Sequence, residues 1–378
     1  MIETGEILVP YSPANNLISN DCVLLPSKPE EYGLKTELLA DIQSFIHRYV
    51  DLTPLFEEIA ASYVLMSWVY DRFNEVPYLR FRGDYGTGKT RALMAIGSLC
   101  YKPFFSSAAS TTSPIFHTLN AFGGTLILDE ADLPFSDARA ELVKILNNGN
   151  VRGMPVLRSM QTRTKEFCPT AFKVFGPKII AMRESFEDRA LESRFFTEET
   201  GTRPMRADIP IHLPSTLKAE ALLLRNRLLH YRLCEYYKIN TDTTASIAGI
   251  EPRLNQSALS LLSIIDDPAL RARIQEDMIA RNGEIVASRS ETTEAHVASA
   301  AVAASAESSD GSASLQAIAE TLRAQHSDEY GRVTSKWIGY ILRTRLHIKT
   351  HKSRGIYVVH FGELQKLKEF LQRAGVDS

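Results

Sequence analysis

The stretch Leu79–Leu93 reads LRFRGDYGTGKTRAL, and its spacing decides the fold of everything around it. Gly83, Gly88, Lys89 and Thr90 satisfy the pattern G-x-x-x-x-G-K-[ST], with Asp84, Tyr85, Gly86 and Thr87 inside the loop. The expected order is a short strand at Tyr78–Phe81, a glycine loop, and a helix from about Lys89 to Cys100. Residues without Cβ let successive backbone N–H groups converge on phosphate oxygens, and the following helix adds its positive N-terminal end. Lys89 is then expected to reach the β and γ phosphates of ATP, and Thr90 to give a hydroxyl to Mg2+. A glycine turn that binds nothing is the competing reading, and the strand-loop-helix context disfavours it.

A second motif supports the first. The segment GGTLILDEAD is an apolar strand, Thr125–Leu128, that ends in acid. Asp129 is placed to hold the water shell of Mg2+, and Glu130 to orient and polarise an attacking water. The alternative is a surface acid pair after a strand. Further along, GPKIIAM gives another apolar strand at Lys178–Met182, and ESRFFTEE a further one. Short, fully apolar runs of this kind suit a parallel sheet covered on both faces. Arg194 follows a helix-like stretch and opens a strand, from which it is expected to project toward a neighbouring subunit's γ-phosphate. An intrasubunit ion pair is the bland alternative.

The bulk numbers exclude several classes. The chain has 378 residues, 44% hydrophobic and 23% charged, with formal net charge −2. That is an ordinary globular composition, so any nucleic-acid contact must come from local patches. Cys22, Cys100, Cys168 and Cys234 are far apart and form no C-x-x-C pair, against a zinc knuckle or a disulfide framework. The most apolar run, Ile59–Tyr70, is shorter than the ~20 residues a membrane span needs. The start, MIETGEILVP, has neither a basic nor an apolar signal region, so a cytoplasmic protein without membrane contact is expected.

Composition and periodicity divide the chain into five parts. Residues 1–76 are an arm, with a short strand at Cys22–Leu25, and two helices, from Thr36 and from Pro54 to about Phe73. Residues 77–210 are the nucleotide-binding core, and 211–284 are all-helical, with patterns at Ser215–Tyr237 and Asn255–Asn282. Residues 285–314, rich in Ala, Ser, Thr and Glu, read as a flexible linker. Residues 315–378 form a C-terminal domain.

The segments GDYGTGKT, LILDEAD, GPKIIAMRES, DRALESRF and EPRLNQSALSLLSI, between about Tyr78 and Leu262, resemble the AAA+ ATPases. They are particularly similar to the ring helicases of mobile elements and the MCM-like group. The resemblance implies an α/β fold: a five-stranded parallel P-loop sheet with a helical lid, usually assembled as a hexamer with sites between subunits. It implies that Arg194, in the S-R-F segment, is the arginine finger. A sensor arginine on the lid maps to Arg253, with Arg225 and Arg227 as competitors. Arg183 stands where the family usually has asparagine or a similar polar residue at its first sensor, a departure from the pattern.

Two segments point to DNA. Alternation around Met154–Leu157 and Phe167–Val174 predicts a hairpin whose tip carries Arg158, Arg163 and Lys165. In the resembled helicases such a hairpin faces the channel, which implies that these side chains grip single-strand phosphates; a solvated hairpin on the rim is the alternative. Protein-threading relatives put an aromatic at the pore, and Phe116 and Phe122 keep that reading open. After the linker, a helix at Leu315–Gln325, a second capped by Thr334 or Ser335, and two strands around a turn at Lys352–Gly355 form a winged-helix-like domain. Its Arg332, Lys336, Arg343, Arg345, Lys349, Lys352 and Arg354 fall in a run without acids, a footprint for duplex DNA. A solvated basic face or protein-docking module is the alternative. The functional expectation is an ATP-dependent DNA helicase or translocase in the replication of a mobile element. The second is a DNA-binding ATPase switch, a loader or initiator that moves nothing itself. A protein remodeller comes third.

Overall fold

The computed structural model describes residues 11–12, 14–107, 111–131, 137–161, 167–186, 188–240, 247–308, 311–353 and 355–376. The chain divides into two compact units, Met1–Glu276 and Asp277–Ser378. The first begins with helices α1 (Asn16–Ser19), α2 (Lys35–Tyr49) and α3 (Pro54–Ser67). Next come β1 (Tyr78–Arg82), α4 (Lys89–Gly97), β2 (Phe104–Ser107), α5 (Thr112–Phe122), β3 (Leu126–Asp129) and α6 (Asp137–Asn148). A hairpin of β4 (Val156–Gln161) and β5 (Phe167–Phe172) precedes β6 (Lys178–Met182), α7 (Arg189–Glu192) and β7 (Phe195–Glu199). Helices α8 (Leu217–Glu235) and α9 (Pro252–Leu262) follow, and α10 (Pro268–Ser290) crosses the boundary between units.

Five strands form one sheet in the order β2-β3-β6-β1-β7, and every pairing is parallel. This is the α/β fold class expected from the phosphate-loop motif. The central strands are buried along nearly their whole length: Leu79, Phe81, Ile179, Ile180 and Ala181 expose nothing. Such burial requires cover on both faces, which is why these strands read as continuous apolar runs. Helix α3 is apolar almost all round, and its Tyr63 joins the starts of two strands. The Tyr63 hydroxyl lies 3.1 Å and 3.0 Å from the Pro77 and Lys178 carbonyls and accepts the Lys178 N–H at 2.9 Å. Lys178 is itself fully buried, with its ammonium donating to the carbonyls of Gly149, Val174 and Gly176 at 3.1, 3.0 and 2.9 Å. Burial drives the Lys178 pKa far below the usual lysine value. The three carbonyls tie the end of α6 and the root of the hairpin to the sheet.

Several sequence expectations change. Strand β2 carries no periodic signal because it is short, follows Pro103 and ends in serines. It is nevertheless the edge of the sheet, and Val23 of the N-terminal arm bridges to its Phe104. The helical pattern over Asn255–Asn282 is two helices, broken before Pro268. Phe116 and Phe122 are core residues, 4% and 7% exposed, so neither offers an aromatic to a channel.

The largest correction concerns residues 285–314, expected as a flexible linker. Helix α10 continues to Ser290, and α11 (Thr293–Ala306) follows, with the Thr292 side chain accepting the Ala295 N–H at its N-terminus. Val297, Ala298, Ala300, Ala301 and Ala304 are buried in the core of the second unit. Alanine has the highest helix propensity, and a stripe of small side chains allows close helix packing. Composition alone, poor in large apolar residues, concealed this. The second unit continues with β8 (Ala313–Ser314), α12 (Leu315–Gln325), α13 (Ser327–Tyr330) and α14 (Ser335–Tyr340), which runs into a π-helical turn at Ile341–Arg345. Strands β9 (Thr350–Ser353) and β10 (Ile356–Val359) and helix α15 (Phe361–Arg373) complete it, and the sheet order is β8-β10-β9, antiparallel throughout. Thr334 caps α14 by accepting the Trp337 N–H. No helix among the described residues is long and apolar enough to cross a membrane.

Two substitutions test this packing. Tyr63→Phe leaves buried strand-end backbone groups unpaired and is expected to lower the unfolding free energy by about 1–3 kcal/mol in urea titrations. Ala301→Asp puts a carboxylate into the core of the second unit, at a cost of at least about 3 kcal/mol. Hydrogen exchange should then show fast exchange at residues 293–306 in that variant and strong protection there in the parent chain; fast exchange in the parent would restore the linker.

Candidate nucleotide-binding site

Parallel strands bring their C-terminal ends to one edge, and three of them converge here. From β1 comes the loop Gly83–Gly88, from β3 the pair Asp129 and Glu130, and from β6 Arg183. Loops at this edge of an open α/β sheet form its usual ligand crevice.

The loop is shaped by local constraints. A Cβ on Gly83 would lie 2.4 Å from the Thr200 carbonyl oxygen, so only glycine lets β1 turn beside the end of β7. Gly88 has φ +89°, a left-handed conformation that starts α4 at Lys89. Thr87 donates to the Asp84 carbonyl at 2.8 Å and shares a 2.8 Å hydroxyl contact with Thr200. The Asp84 carboxylate accepts the Tyr85 N–H at 2.7 Å, and Gly86 lies between these braces. The Lys89 ammonium donates to the Gly83 and Asp84 carbonyls at 2.7 and 2.6 Å, holding a positive charge over the loop.

The two motifs meet directly. The Thr90 hydroxyl donates to Asp129 Oδ2 at 2.7 Å, and Asp129 Oδ1 accepts the Glu130 N–H at 2.9 Å. Glu130 has φ +53°, a conformation rare outside glycine and asparagine. Its exposed carboxylate leaves the sheet at the same edge. A hydroxyl and a carboxylate side by side are the hard oxygen donors that Mg2+ takes, completed by water and phosphate. The loop, the Lys89 ammonium and this oxygen pair therefore fit a magnesium nucleotide. A cavity of about 290 Å³ opens beside the pair, lined by Thr90, Met94, Phe105, Ser106, Ser107 and Asp129.

The remaining predicted residues lie elsewhere. Arg194 precedes β7, and its carbonyl accepts the Tyr78 N–H at the start of β1. A five-residue strand at ~3.3 Å per residue separates that position from the loop, so Arg194 and its own chain's phosphate loop occupy opposite edges. Its guanidinium donates to Asn147 Oδ1 at 2.7 Å and to the Asn147 carbonyl at 2.8 Å, at the end of α6. Asn147 in turn donates to Asp188 at 2.8 Å. Burial lowers the Arg194 pKa, and Arg253 stands in the first turn of α9. Arg225 and Arg227 are structural: Arg225 is buried, bonded to the Ser98 carbonyl at 2.8 Å and pushed down by burial to about 10, while Arg227 binds Asp41 at 2.6 Å. Sequence reasoning had no signal for Thr200 or Asn147, which belong to no motif.

The hairpin exists in the predicted place, with Val156 opposite Phe172 and Gln161 opposite Phe167. Arg158 is not at its tip. It pairs with Thr170 mid-strand, forms a salt bridge to Glu141, and stacks 5.1 Å from the Phe116 ring centre. An arginine so engaged packs the hairpin against the core and corrects the expectation of a phosphate grip. Arg163 and Lys165 lie outside the described residues, as does Arg354. In the second unit Lys336 and Arg343 line a cavity of about 560 Å³ between α12, α14 and the β9-β10 hairpin, with Tyr357 on its wall. Lys349 and Lys352 are exposed nearby in sequence, whereas Arg345 is paired with Glu294 of α11 at 2.9 Å. A run without acids in sequence thus gains one from the fold.

No family model matches the chain, and no curated protein matches it. Among solved structures it is similar to the apo C-terminal region of NrS-1, with 14% identity, a TM-score of 0.41, and 89% of this chain and 79% of that chain covered. A JCV helicase aligns at 17% identity and TM-score 0.27, over 67% of this chain and 61% of that one. The Aeropyrum pernix ORC1 protein in complex with DNA aligns at 14% identity and TM-score 0.24, over 85% and 94%. These are loose likenesses.

Proposed function

We propose that the chain is an ATP-hydrolysing, DNA-dependent motor of the AAA+ class, acting as a helicase or translocase in the replication of a mobile element. The observation that carries the ATPase reading is the 2.7 Å bond between Thr90 and Asp129, which joins the phosphate loop to the acidic strand end. Lys89 holds the β and γ phosphates, and Thr90 and Asp129 hold Mg2+, which neutralises phosphate charge when bound. Glu130 orients a water toward the terminal phosphate and accepts its proton. Arg194 lies beside the start of β1, too far from its own chain's nucleotide to reach it, so it serves the site of a neighbouring protomer, and on the resemblance Arg253 serves as the lid's sensor. A closed ring, a homo-hexamer on the resemblance, supplies that neighbour.

For DNA, the supporting features are the hairpin before β6 and the basic groove of the winged-helix-like second unit. Single strand runs along the hairpin in this reading, and duplex meets Lys336, Arg343, Lys349, Lys352 and Arg354. Phosphate contacts of this type are sequence-independent and salt-sensitive. The second reading is a loader or initiator, favoured by the same groove but requiring no movement. A cytoplasmic location accords with both.

A strand-displacement assay on tailed and forked duplexes separates them. Unwinding that stops in Lys89→Ala, with ATP turnover down about a hundredfold or more, is expected; ATP turnover without displacement or translocation favours the loader. Duplex binding by Lys336→Ala/Arg343→Ala should weaken, with the slope of log affinity against log salt reduced by roughly 0.9 for each phosphate no longer neutralised. An unchanged slope would remove the groove from the DNA surface.

A further inference from the structure

Arg183 occupies a distinctive place. Met182, just before it, pairs with Arg82 on β1, and its carbonyl accepts the Gly83 N–H at 3.3 Å. Arg183 therefore leaves β6 beside the first residue of the phosphate loop. From there its side chain crosses the loop to Tyr85. The guanidinium carbon lies 4.5 Å from the centre of the Tyr85 ring, and Nη1 donates to the Tyr85 hydroxyl. Tyr85 is 75% exposed, so its ring is not held there as part of a core. An exposed arginine samples many rotamers, and ordering it costs free energy that a ligand must otherwise supply. Stacking on an aromatic ring is a preferred guanidinium contact, and the edge of the same planar group matches phosphate oxygens.

We propose that Tyr85 is a positioning residue for Arg183, holding its guanidinium across the phosphate loop so that it recognises the terminal phosphate of a nucleoside triphosphate. The inference rests on the nucleotide-site reading above and deepens it. The loop serves phosphates that ATP and ADP share and Lys89 reaches both the shared β phosphate and the γ phosphate, while the Arg183–Tyr85 pair serves only the phosphate that ATP alone carries. The pair therefore adds to the preference for triphosphate over diphosphate. It also accounts for an arginine at a place where the resembled family has a shorter polar residue: the longer side chain spans the loop, and the loop supplies the ring that orders it.

Equilibrium binding of ATP and of ADP to the full chain, with Mg2+, tests this in Tyr85→Ala, Tyr85→Phe, Arg183→Ala and the Tyr85→Ala/Arg183→Ala double variant. Arg183→Ala should weaken ATP about tenfold or more, the scale of one charge-assisted contact, and leave ADP within about twofold. Tyr85→Ala should weaken ATP about three- to tenfold without affecting ADP, and Tyr85→Phe should keep most of the preference because the ring remains. The double variant should bind no worse than Arg183→Ala alone. Equal weakening of ATP and ADP by Tyr85→Ala would assign the tyrosine to loop shape and overturn the proposal, as would losses that multiply in the double variant. A parent chain that binds neither nucleotide overturns the nucleotide site and the pair together; a parent that binds both, with every variant unchanged, overturns the pair alone.

Discussion

All five strands of the sheet point the same way, and that common direction governs what the first unit can do. Parallel pairing puts the ends of β1, β3 and β6 together, so Gly83, Asp129 and Arg183 become neighbours although distant in sequence. The same pairing sends the start of β7, and Arg194 with it, to the opposite edge. One edge gathers the glycine loop, the Lys89 ammonium and the Thr90–Asp129 oxygen pair. The other presents arginine. In the proposed reading the chemistry is divided between chains, because no single sheet can bring its two edges together.

The arginine edge is braced with some care. Arg80, 3% exposed on the central strand β1, makes a two-pronged salt bridge to Glu192 at 2.6 and 2.7 Å. Bidentate pairs of this kind fix geometry as well as charge. Glu192 also accepts the Phe186 N–H at 2.6 Å, which pins the segment leading to Arg194. Asn147 completes the support from the end of α6, the helix that leads into the β4-β5 hairpin. The hairpin root is fastened to the sheet by the buried Lys178 ammonium. Arg194 and the hairpin root are thus both fastened at the C-terminal end of α6.

How much was legible in the sequence follows from how local each signal is. The phosphate loop is contiguous, its glycines answer to local backbone geometry, and the apolar strands report their double-sided burial; these were readable. So was the hairpin, from its alternation. Arg158 is not legible as a packing residue because its basic charge says nothing about Glu141 and Phe116, which reach it only in the fold. The helix in place of a linker is hidden from composition, which counts large apolar residues, whereas α11 buries Ala298, Ala300, Ala301 and Ala304 through close approach. Strand β2 gave no period because it is four residues long. Tyr85 was visible as a loop residue but not as the partner of Arg183, since that contact depends on two strands lying side by side.

The proposed chemistry turns on a site shared between protomers, and subunit mixing measures that directly. Lys89→Ala protomers lack a working phosphate loop but keep Arg194; Arg194→Ala protomers have the converse defect. Each variant alone should hydrolyse ATP hardly at all, while an equimolar mixture that co-assembles should regain a substantial fraction of parental turnover at the interfaces where an intact loop faces an intact Arg194. A co-assembled mixture that stays silent, or an Arg194→Ala chain that hydrolyses ATP at the parental rate by itself, would contradict a divided catalytic centre.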